Sequence, residues 1–588
     1  MHDLLCSAAV QRRAILNPVV LVAVLPVAAG LVETLRRAWV CDDAFISFRY
    51  VDHLLRGHGL VFNPGERVEG YTHFLWVILL AACNRLGFDL VELGRYLPIL
   101  FFVATLFVLA QRAWRLRAGA WMGLPIAAWC LALHHDAQLF ASSGLETAPF
   151  GLLLVLGLLA ATATTPRVGL AGALYALATL MRPEGALYTA TAGAFLLWRA
   201  RAVRPIAAFS ATWMALVAPC LVFRWIYYGD LLPNSFYAKS GADSYWSQGW
   251  QYTRLYFGIY FVLLAALAAI PASWVLRRRR HELDTALLAG IQVLLTILYV
   301  TRLGGDFMFA RFFIPMTPLL VLAAEDVLRV SRRRWVEITA AVLMVGSTLA
   351  ARPLRSRTFV GRERVHGIVD EANYYTAETL AMMRRQGDVL GRHLNGTRAR
   401  VALLPGQDAV AYFGRLPYAL ESQGLTDAEL ARLPLATRGR PGHERGITLE
   451  QLLARHIHFR LRYGLTTNLP QYKQIRFDDL YGEMIHYDRE LMQEIARRPG
   501  INFIPFARHV QDFLQNLSTI PPRRVVDDYY QFHIFYFGHN DDPALLARLR
   551  TALIAAGIPE AHLAQAERLA AQTLQAAGLA PTTSAPTP

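Results

Sequence analysis

Lysine and cysteine are scarce in this chain, and each shortage excludes a class of protein. Of its 59 basic residues only Lys239 and Lys473 are lysines, so arginines carry most of the positive charge behind the net +15. The arginine runs stand at the ends of apolar segments and form no basic face on a soluble fold, which argues against nucleic-acid binding. All five cysteines occur by residue 220. The C-terminal part therefore has neither a disulfide framework nor a thiolate metal cluster.

Long polar stretches are also rare before residue 352, where apolar segments follow one another closely. The composition is 54% hydrophobic and the mean hydropathy is +0.30, values typical of a polytopic membrane protein. No small-residue cleavage site follows the first apolar segment, so we expect a retained helix. We expect eleven crossings, at residues 15–35, 95–112, 119–135, 146–164, 168–181, 186–199, 206–228, 252–276, 284–303, 311–330 and 335–351.

The arginine clusters predict the orientation, because they occupy alternate turns and such clusters mark the cytoplasmic side. The apolar segment 72–82 is short, and counting it as a crossing would invert every later turn. We therefore interpret it as an interfacial helix on the external face. The remaining turns are then external, and they carry polar residues at 42–43, 134–146, 182–184, 233–239 and 304–311.

The chain changes character after residue 351, where no apolar run is long enough to cross a membrane. We expect a polytopic α-helical membrane domain at 1–351, with an external loop at 36–94, and an external α/β domain at 352–576 that binds the acceptor or another carbohydrate. Residue patterns predict strands at 400–404, 456–461, 501–506 and 530–537, and helices at 376–394 and 543–574. Residues 577–588, rich in Pro, Thr, Ser and Ala, are expected to be disordered.

Two adjacent carboxylates, Asp42 and Asp43, directly follow the first apolar segment. Neighbouring carboxylates repel each other and are costly near lipid, so their position indicates a function. The alternative is a solvated pair of loop acids. Arg49 lies seven residues after Asp42, two helical turns away, so both side chains can face one cavity.

Cations in the external turns predict a phosphate site. The candidates are Arg49, Arg182, Lys239 and Arg311. Lys239 stands out because the membrane domain otherwise uses arginine, so a compact charge is favoured there. Arg182 and Glu184 flank a proline, and they form either a structural ion pair or a ligand contact.

Polar and aromatic residues in the same turns predict substrate binding. They are Glu69, Tyr71, His73, Glu146, Asn234, Tyr237 and Asp306. For Glu146 a structural alternative is a capping box with Ser143. Aromatic and polar groups suit a sugar, cations suit a phosphate, and the hydrocarbon wall suits a lipid tail. A sugar on a lipid phosphate needs all three in one place.

Several motifs resemble those of the terminal β-(1→2)-arabinofuranosyltransferase family of actinobacterial cell-wall synthesis. The opening contains DDAFISFRY at 42–50, GHGLVFNPGE at 57–66 and VEGYT at 68–72. Later motifs are NSFYAK at 234–239 and GDFM at 305–308, followed by GLTD at 424–427 and GHE at 442–444. The resemblance covers most of residues 38–460, and the long first motif is specific.

The resemblance implies a GT-C fold, meaning a multi-span glycosyltransferase in the plasma membrane that uses a polyprenyl-phosphate sugar. In such enzymes an acid of the first external loop is the general base, which here is Asp42 or Asp43. The implied donor is decaprenyl-phospho-arabinofuranose, and the implied acceptors are the arabinan ends of arabinogalactan and lipoarabinomannan. We expect Asp42 to be the base because it is nearer the membrane end, with Asp43 orienting it or the acceptor.

Other functions share some of these features. A GT-C transferase for another lipid-linked sugar, a polymer flippase or ligase, and a non-catalytic envelope assembly protein remain alternatives. A secondary transporter is less consistent, because its charges are expected near the membrane midplane. Paired carboxylates can hold a divalent metal. Arginine and lysine can neutralise the phosphate instead, so we expect no metal and no cofactor.

Overall fold

The computed structural model describes residues 18–116, 124–239, 243–277, 283–330, 334–358, 364–435, 437–461 and 469–579. These residues are mostly helical, and their strands follow residue 363. The chain divides into two compact units. Unit 1 contains Met1–Leu60, Glu69–Ala377 and Leu435–Glu444, and unit 2 contains Val61–Val68, Glu378–Pro434 and Arg445–Pro588. The units differ from the predicted division between residues 351 and 352 in three segments. Residues 61–68 belong to unit 2, and residues 352–377 and 435–444 belong to unit 1.

Unit 1 is built from helices of very different lengths. In chain order they are α1 Pro18–Arg36, α2 Asp43–Leu55, α3 Phe74–Arg85, α4 Leu90–Leu116, α5 Ile126–Leu133, α6 His135–Phe140, α7 Thr147–Thr162, α8 Val168–Met181, α9 Gly185–Ala200, α10 Val203–Tyr228, α11 Asn234–Ala238, α12 Trp246–Ile259, α13 Phe261–Ala266, α14 Ala269–Arg277, α15 Asp284–Leu303, α16 Thr317–Val330 and α17 Arg334–Thr358. A 3-10 turn lies at Ile314–Met316, and the short strands β1 (Arg364–Val365) and β2 (Ile368–Val369) are followed by a second 3-10 turn at Glu371–Asn373.

The apolar helices make this a membrane protein. Among the described residues, α4, α10 and α15 are long and apolar enough to cross a membrane. A fourth candidate is the pair Trp246–Ile259 and Phe261–Leu276, bent by 100° at Tyr260. Shorter apolar helices accompany them, including α3, which occupies the segment expected to be interfacial. Helices occupy most of the predicted apolar segments, but the segment 252–276 is divided among α12, α13 and α14, and the segment 311–330 is α-helical only from Thr317. The number of eleven crossings and the sidedness stay predictions.

Small residues let the helices of unit 1 approach closely. A Cβ placed on Gly172 of α8 would lie 2.5 Å from the carbonyl oxygen of Phe209 in α10. Likewise, a Cβ on Gly94 of α4 would lie 2.4 Å from the Phe48 ring of α2. Such contacts are typical of helix packing in lipid, where backbone approach replaces the hydrophobic drive. The second contact positions α2, which begins at Asp43.

Unit 2 contains a mixed six-stranded sheet and surrounding helices. The elements are α18 Ala377–Leu394, β3 Arg400–Ala402, α19 Asp408–Gly414, β4 Tyr418–Leu420, α20 Ala428–Arg432, α21 Leu449–Ala454, β5 Phe459–Leu461, β6 Gln474–Phe477, β7 Leu480–Met484, α22 Arg489–Ile495, β8 Ile501–Phe503, α23 Phe506–Gln515, α24 Pro522–Phe532, a π-helical turn His533–Phe537, α25 Pro543–Ala555 and α26 Glu560–Ala576, with 3-10 turns at Gln471–Lys473 and Leu517–Thr519.

The strand order is β4-β3-β5-β7-β6-β8. Strand β3 runs parallel to β4 and β5, and the remaining pairs are antiparallel. The motif residue Asn63 contributes to this sheet from the first loop. Its side chain donates to the carbonyl of Ala419 at 2.9 Å and accepts from the same residue's N–H at 3.0 Å. Asn63 thus satisfies backbone groups on the edge strand β4.

The predictions for unit 2 have mixed outcomes. The strands expected at 400–404, 456–461 and 501–506 are present as β3, β5 and β8. The strand expected at 530–537 is wrong, because these residues end α24 and form the π-helical turn. Val525, Tyr529 and Phe532 are buried at helical spacing, and that periodicity outweighs the β propensity of the aromatic residues.

The helix predicted at 543–574 is broken into α25 and α26. The break contains Gly557, with a φ of +86°, and Pro559. A left-handed glycine ends the first helix, and the proline resists its continuation. Of the predicted disordered tail, residues 580–588 lie outside the described part of the chain, as do residues 15–17 and 119–123 of two predicted crossings.

Candidate active site

Three turns of unit 1 meet around the guanidinium group of Arg311. Its Nη1 lies 3.6 Å from Oδ2 of Asp43 and 3.5 Å from Oδ2 of Asp306. Its Nη2 lies 4.0 Å from Oε1 of Glu146. Three of the polar turns singled out in the sequence, 42–43, 134–146 and 304–311, therefore lie together. The turn 304–311 reaches this position through left-handed residues, with φ values of +98° at Gly304 and +72° at Gly305.

Asp42 and Asp43 stand at the start of α2 in different surroundings. Asp42 is 3% exposed, whereas the side chain of Asp43 is 28% exposed. The neighbouring turn fixes the pair, because Cys41 N–H donates to the Ser143 carbonyl at 2.9 Å. Gly144 has a φ of +86°, and a Cβ there would lie 2.7 Å from Cβ of Ala44. A glycine is required at that contact.

Glu146 joins three parts of the site. Arg182 Nη1 donates to its Oε1 at 3.0 Å, and His73 Nδ1 lies 3.4 Å from its Oε2. The other ring nitrogen of His73, Nε2, is 2.6 Å from the hydroxyl oxygen of Ser47 on α2. Glu146 makes no side-chain cap on α7, so the capping box with Ser143 is not formed. The carboxylate serves ion pairing instead.

The two arginines of the site are held differently. Arg182 makes hydrogen bonds of 3.0 Å to both Glu146 and Glu184, and its guanidinium lies over the rings of Phe150 and Phe312. Of the two alternatives for Arg182 and Glu184, the ion pair is present. Arg311 instead lies at 3.5 Å or more from each carboxylate, and its Nε has no hydrogen-bond partner among the described residues. Arg311 is the looser of the two.

Other predicted binding residues belong to a second polar cluster. Glu69 accepts a 2.9 Å hydrogen bond from Arg224, and its carbonyl accepts the Asn234 N–H at 2.9 Å. The hydroxyl of Tyr71 lies 3.0 Å from that of Tyr228. These contacts give Glu69 and Tyr71 structural partners, and their predicted binding roles stay predictions.

Two further predicted residues have their own surroundings. The hydroxyl of Tyr237 donates to Asp230 at 3.1 Å, and Arg49 is 1% exposed within α2.

Lys239 ends the short helix α11 and is half-buried. Among the described residues it has no carboxylate within 4.0 Å. Its Cε lies 3.8 Å from the position a Cβ would take on Gly442. The GHE motif therefore belongs beside the NSFYAK motif in unit 1.

Two residues of the site carried no signal in the sequence. Val369 N–H donates to the Phe307 carbonyl at 2.8 Å, and Phe309 N–H donates to the Val369 carbonyl at 2.9 Å. This pairing brings the following residues, Glu371 and Tyr375, to the acids of the site. Burial and the charge of Asp43 raise the pKa of Glu371 to about 8, and burial and the charge of Asp42 raise the pKa of Tyr375. Glu371 and Tyr375 lie in the segment that the sequence assigns to the α/β domain at 352–576, whereas the structure places them in unit 1.

Within the described residues no group of three or more His, Cys, Asp or Glu side chains is arranged to hold a metal ion. The expectation of a metal-free site stays a prediction.

Comparison with known proteins bears on the family. No family model matches the chain. A terminal β-(1→2)-arabinofuranosyltransferase of Corynebacterium glutamicum is 32% identical over 351 residues, covering 52% of this chain and 51% of that protein. The chain resembles these enzymes. The same-named arabinofuranosyltransferase of Mycobacterium tuberculosis is 29% identical over 401 residues, covering 58% of this chain and 63% of its own length. The resemblance inferred from the motifs is thus confirmed. The matched region spans 51% of the Corynebacterium protein and 63% of the Mycobacterium protein, which is less than two thirds of either relative.

Two solved structures are also similar to the chain. A crystal structure of ArnT from Cupriavidus metallidurans bound to undecaprenyl phosphate has a TM-score of 0.45 and 14% identity, covering 68% of this chain and 85% of that one. The apo structure of the same protein has a TM-score of 0.43 and 12% identity, covering 76% and 93%.

The geometry of Arg182 predicts a structural role. Replacing it with Gln leaves the buried Glu146 and the partly buried Glu184 without their hydrogen-bonded partner, and removing one member of a buried pair typically costs about 3–5 kcal/mol. Arg56→Gln, which removes the partly exposed pair with Asp52, is the matched control, and surface pairs contribute roughly 1 kcal/mol or less. Tryptophan fluorescence during denaturant unfolding reports on unit 1, because all 12 tryptophans precede residue 336. Equal losses in the two variants would contradict this role.

Proposed function

We propose that the protein is an inverting glycosyltransferase that moves D-arabinofuranose from a polyprenyl phosphate to the end of a cell-envelope glycan at the external membrane face. The observation that carries the proposal is the Asp42–Asp43 pair beside a loosely held Arg311 in a membrane protein that resembles arabinofuranosyltransferases. Decaprenyl-phospho-arabinofuranose is the proposed donor. Arabinan ends of arabinogalactan and lipoarabinomannan are the proposed acceptors.

The reaction needs one base and a stabilised leaving group. The acceptor oxygen forms a new bond to the anomeric carbon, and its proton passes to a carboxylate. The bond from that carbon to the phosphate oxygen breaks on the opposite face, and its electron pair leaves with the phosphate. No covalent intermediate forms, so the configuration inverts.

Accessibility favours Asp43 as the base. A base must reach the acceptor hydroxyl, and the Asp43 side chain is 28% exposed while Asp42 is 3% exposed. The Oδ2 of Asp43 lies 3.6 Å from Nη1 of Arg311, which is the counter-ion of this carboxylate. The sequence favoured Asp42, which in this proposal orients the start of α2 and the acceptor.

The base assignment predicts a large loss of turnover in Asp43→Asn, about 10²–10⁴-fold, because the amide cannot accept the proton. Asp42→Asn is the matched comparison and should lose less. The assay measures pentose transfer from decaprenyl-phospho-arabinofuranose to an arabinan oligosaccharide, with polyprenyl-phospho-mannose as the alternative donor. Loss in Asp42→Asn alone would restore the original order. Normal turnover in both variants would remove the catalytic proposal, and a preference for mannose would replace the sugar.

The charges of the site support a reaction without a metal. Asp43, Asp306 and Glu146 already share the positive charge of Arg311, so these carboxylates have a counter-ion. A leaving phosphate is then stabilised by protein cations, which act as preorganised charges.

Metal independence predicts that EDTA leaves transfer unchanged after dialysis. Addition of Mg²⁺, Mn²⁺ or Ca²⁺ should not raise the rate. The Asp43→Asn variant, with its residual rate, serves as the baseline for the same assay. A rate that falls with EDTA and returns with one cation would contradict the proposal.

Unit 2 offers a groove for the acceptor glycan. The groove has a volume of about 820 Å³ and runs along α24 and α26. Tyr530 lies in it, with Arg523, Asp527, Gln565 and Gln572 among its polar lining. An aromatic ring with convergent polar groups suits a sugar chain. We propose that this groove holds the glycan whose end is extended.

The groove predicts that Tyr530→Ala weakens binding of an arabinan oligosaccharide about tenfold, the loss expected when a contact of roughly 1.4 kcal/mol disappears. Tyr481→Ala, on β7 and outside the groove, is the control. Isothermal titration of the full chain in detergent measures both affinities. Equal affinities in the wild type and Tyr530→Ala would place the acceptor elsewhere.

A further inference from the structure

The ring of Phe307 is the centre of a second charged cluster in unit 1. Asp306 Oδ1 accepts the Phe307 N–H at 2.9 Å, and β2 pairs with the Phe307 carbonyl, so the backbone of this residue is fixed. The Arg440 guanidinium lies 4.9 Å from the ring centroid, and the His443 ring lies 4.4 Å away, edge to face. Residues 435–444 thus bring two basic side chains to the motif at 305–308.

Lys239 approaches the same place from α11. The Cε of Lys239 and the ring of Phe307 lie 3.8 and 3.3 Å from the position of a Cβ on Gly442. Gly442 has a φ of +76°, so a glycine is required there on conformational grounds as well. Three basic residues from two distant parts of the sequence therefore surround one glycine and one ring.

The cluster has too few negative charges to balance it. Among the described residues neither Lys239 nor Arg440 has a carboxylate within 4.0 Å, and the Nε of Arg440 donates to the neutral carbonyl of Gly367. Of the acids that act on Arg440, Glu371 has the larger effect and Asp306 the smaller. Burial and Asp43 raise the pKa of Glu371 to about 8, so it carries a proton at neutral pH. By contrast Arg438, two residues before Arg440, pairs with Glu444 at 2.6 Å.

His443 supplies a neutral hydrogen-bonding group beside these cations. Burial and the charge of Arg440 lower the pKa of His443 to about 4. Its Nδ1 is buried and has no hydrogen-bond partner among the described residues. A buried polar atom without a partner is costly, and a bound ligand removes that cost. The surplus positive charge indicates that the ligand is an anion.

We infer that Lys239, Arg440 and His443 form the binding site for the phosphate of a lipid-linked donor, an inference that rests on the proposed glycosyl transfer. The charge of Asp43 acts on His443, so the base and this site belong to one electrostatic neighbourhood. In an inverting transfer the base and the leaving phosphate lie on opposite sides of the anomeric carbon. The leaving phosphate gains a negative charge, and two cations without counter-ions stabilise that gain.

The test is direct binding of a polyprenyl monophosphate to the full chain in detergent. We expect Lys239→Gln and Arg440→Gln each to weaken binding about tenfold or more, because each removes a charge-assisted contact to phosphate. His443→Gln should weaken binding less. Arg204→Gln is the control. Arg204 lies at the start of the 26-residue helix α10, whereas Lys239 follows the end of that helix in the chain, so this change of one positive charge should leave the affinity unchanged. Lys239→Arg, which keeps the positive charge, should bind the polyprenyl monophosphate more tightly than Lys239→Gln does.

The outcomes separate this site from the proposed reaction. Thermal unfolding of each variant establishes that the measured affinities refer to folded protein. Lys239 and Arg440 lie on separate segments, so the two substitutions test the site independently. Unchanged affinity in both Lys239→Gln and Arg440→Gln would overturn the site even if pentose transfer occurs. Weakened binding with no transfer by the wild type would support the site and overturn the reaction. Equal affinity for inorganic phosphate and the lipid phosphate would overturn the assignment to a lipid donor.

Discussion

The ion pair between Arg182 and Glu146 is the interaction on which the site depends. It joins the start of α7 to the turn between α8 and α9, in a position where either charge alone is costly to bury. Glu146 also meets His73 and Arg311, and through Arg311 the pair affects Asp43. The position of the proposed base is thus coupled to helix ends that it does not touch.

Distances between charges divide the polar residues of unit 1 into two classes. Glu69 with Arg224, Glu444 with Arg438, and Glu146 with Arg182 are at hydrogen-bonding distance, and each pair satisfies its own charge. Arg311 lies 3.5 to 4.0 Å from three carboxylates. Pairs that hold a fold need short contacts to repay desolvation, whereas a ligand site must keep some bonding capacity free.

Continuous apolar segments predicted most of the helices of unit 1, because a helix buried in lipid must be apolar along its length. The same reasoning failed at 530–537, where aromatic composition was read as a strand although the buried residues have helical spacing. The site was predictable where an acid or cation stands in a polar turn between apolar segments, as with Asp43 and Arg311. It was not predictable for Glu371 and Arg440, because only long-range backbone pairing and the return of a distant chain segment bring them to the site.

Residue choice at position 239 connects composition with geometry. The membrane part of the chain uses arginine for every other basic residue, so a codon preference alone does not explain one lysine. Lys239 lies against Gly442, where even a Cβ would stand 3.8 Å from its Cε. A planar guanidinium needs room on both sides for its fork of donors, whereas an ammonium is a compact charge. A lysine at this position therefore fits a compact charge directed at an anion, as the proposed phosphate site requires.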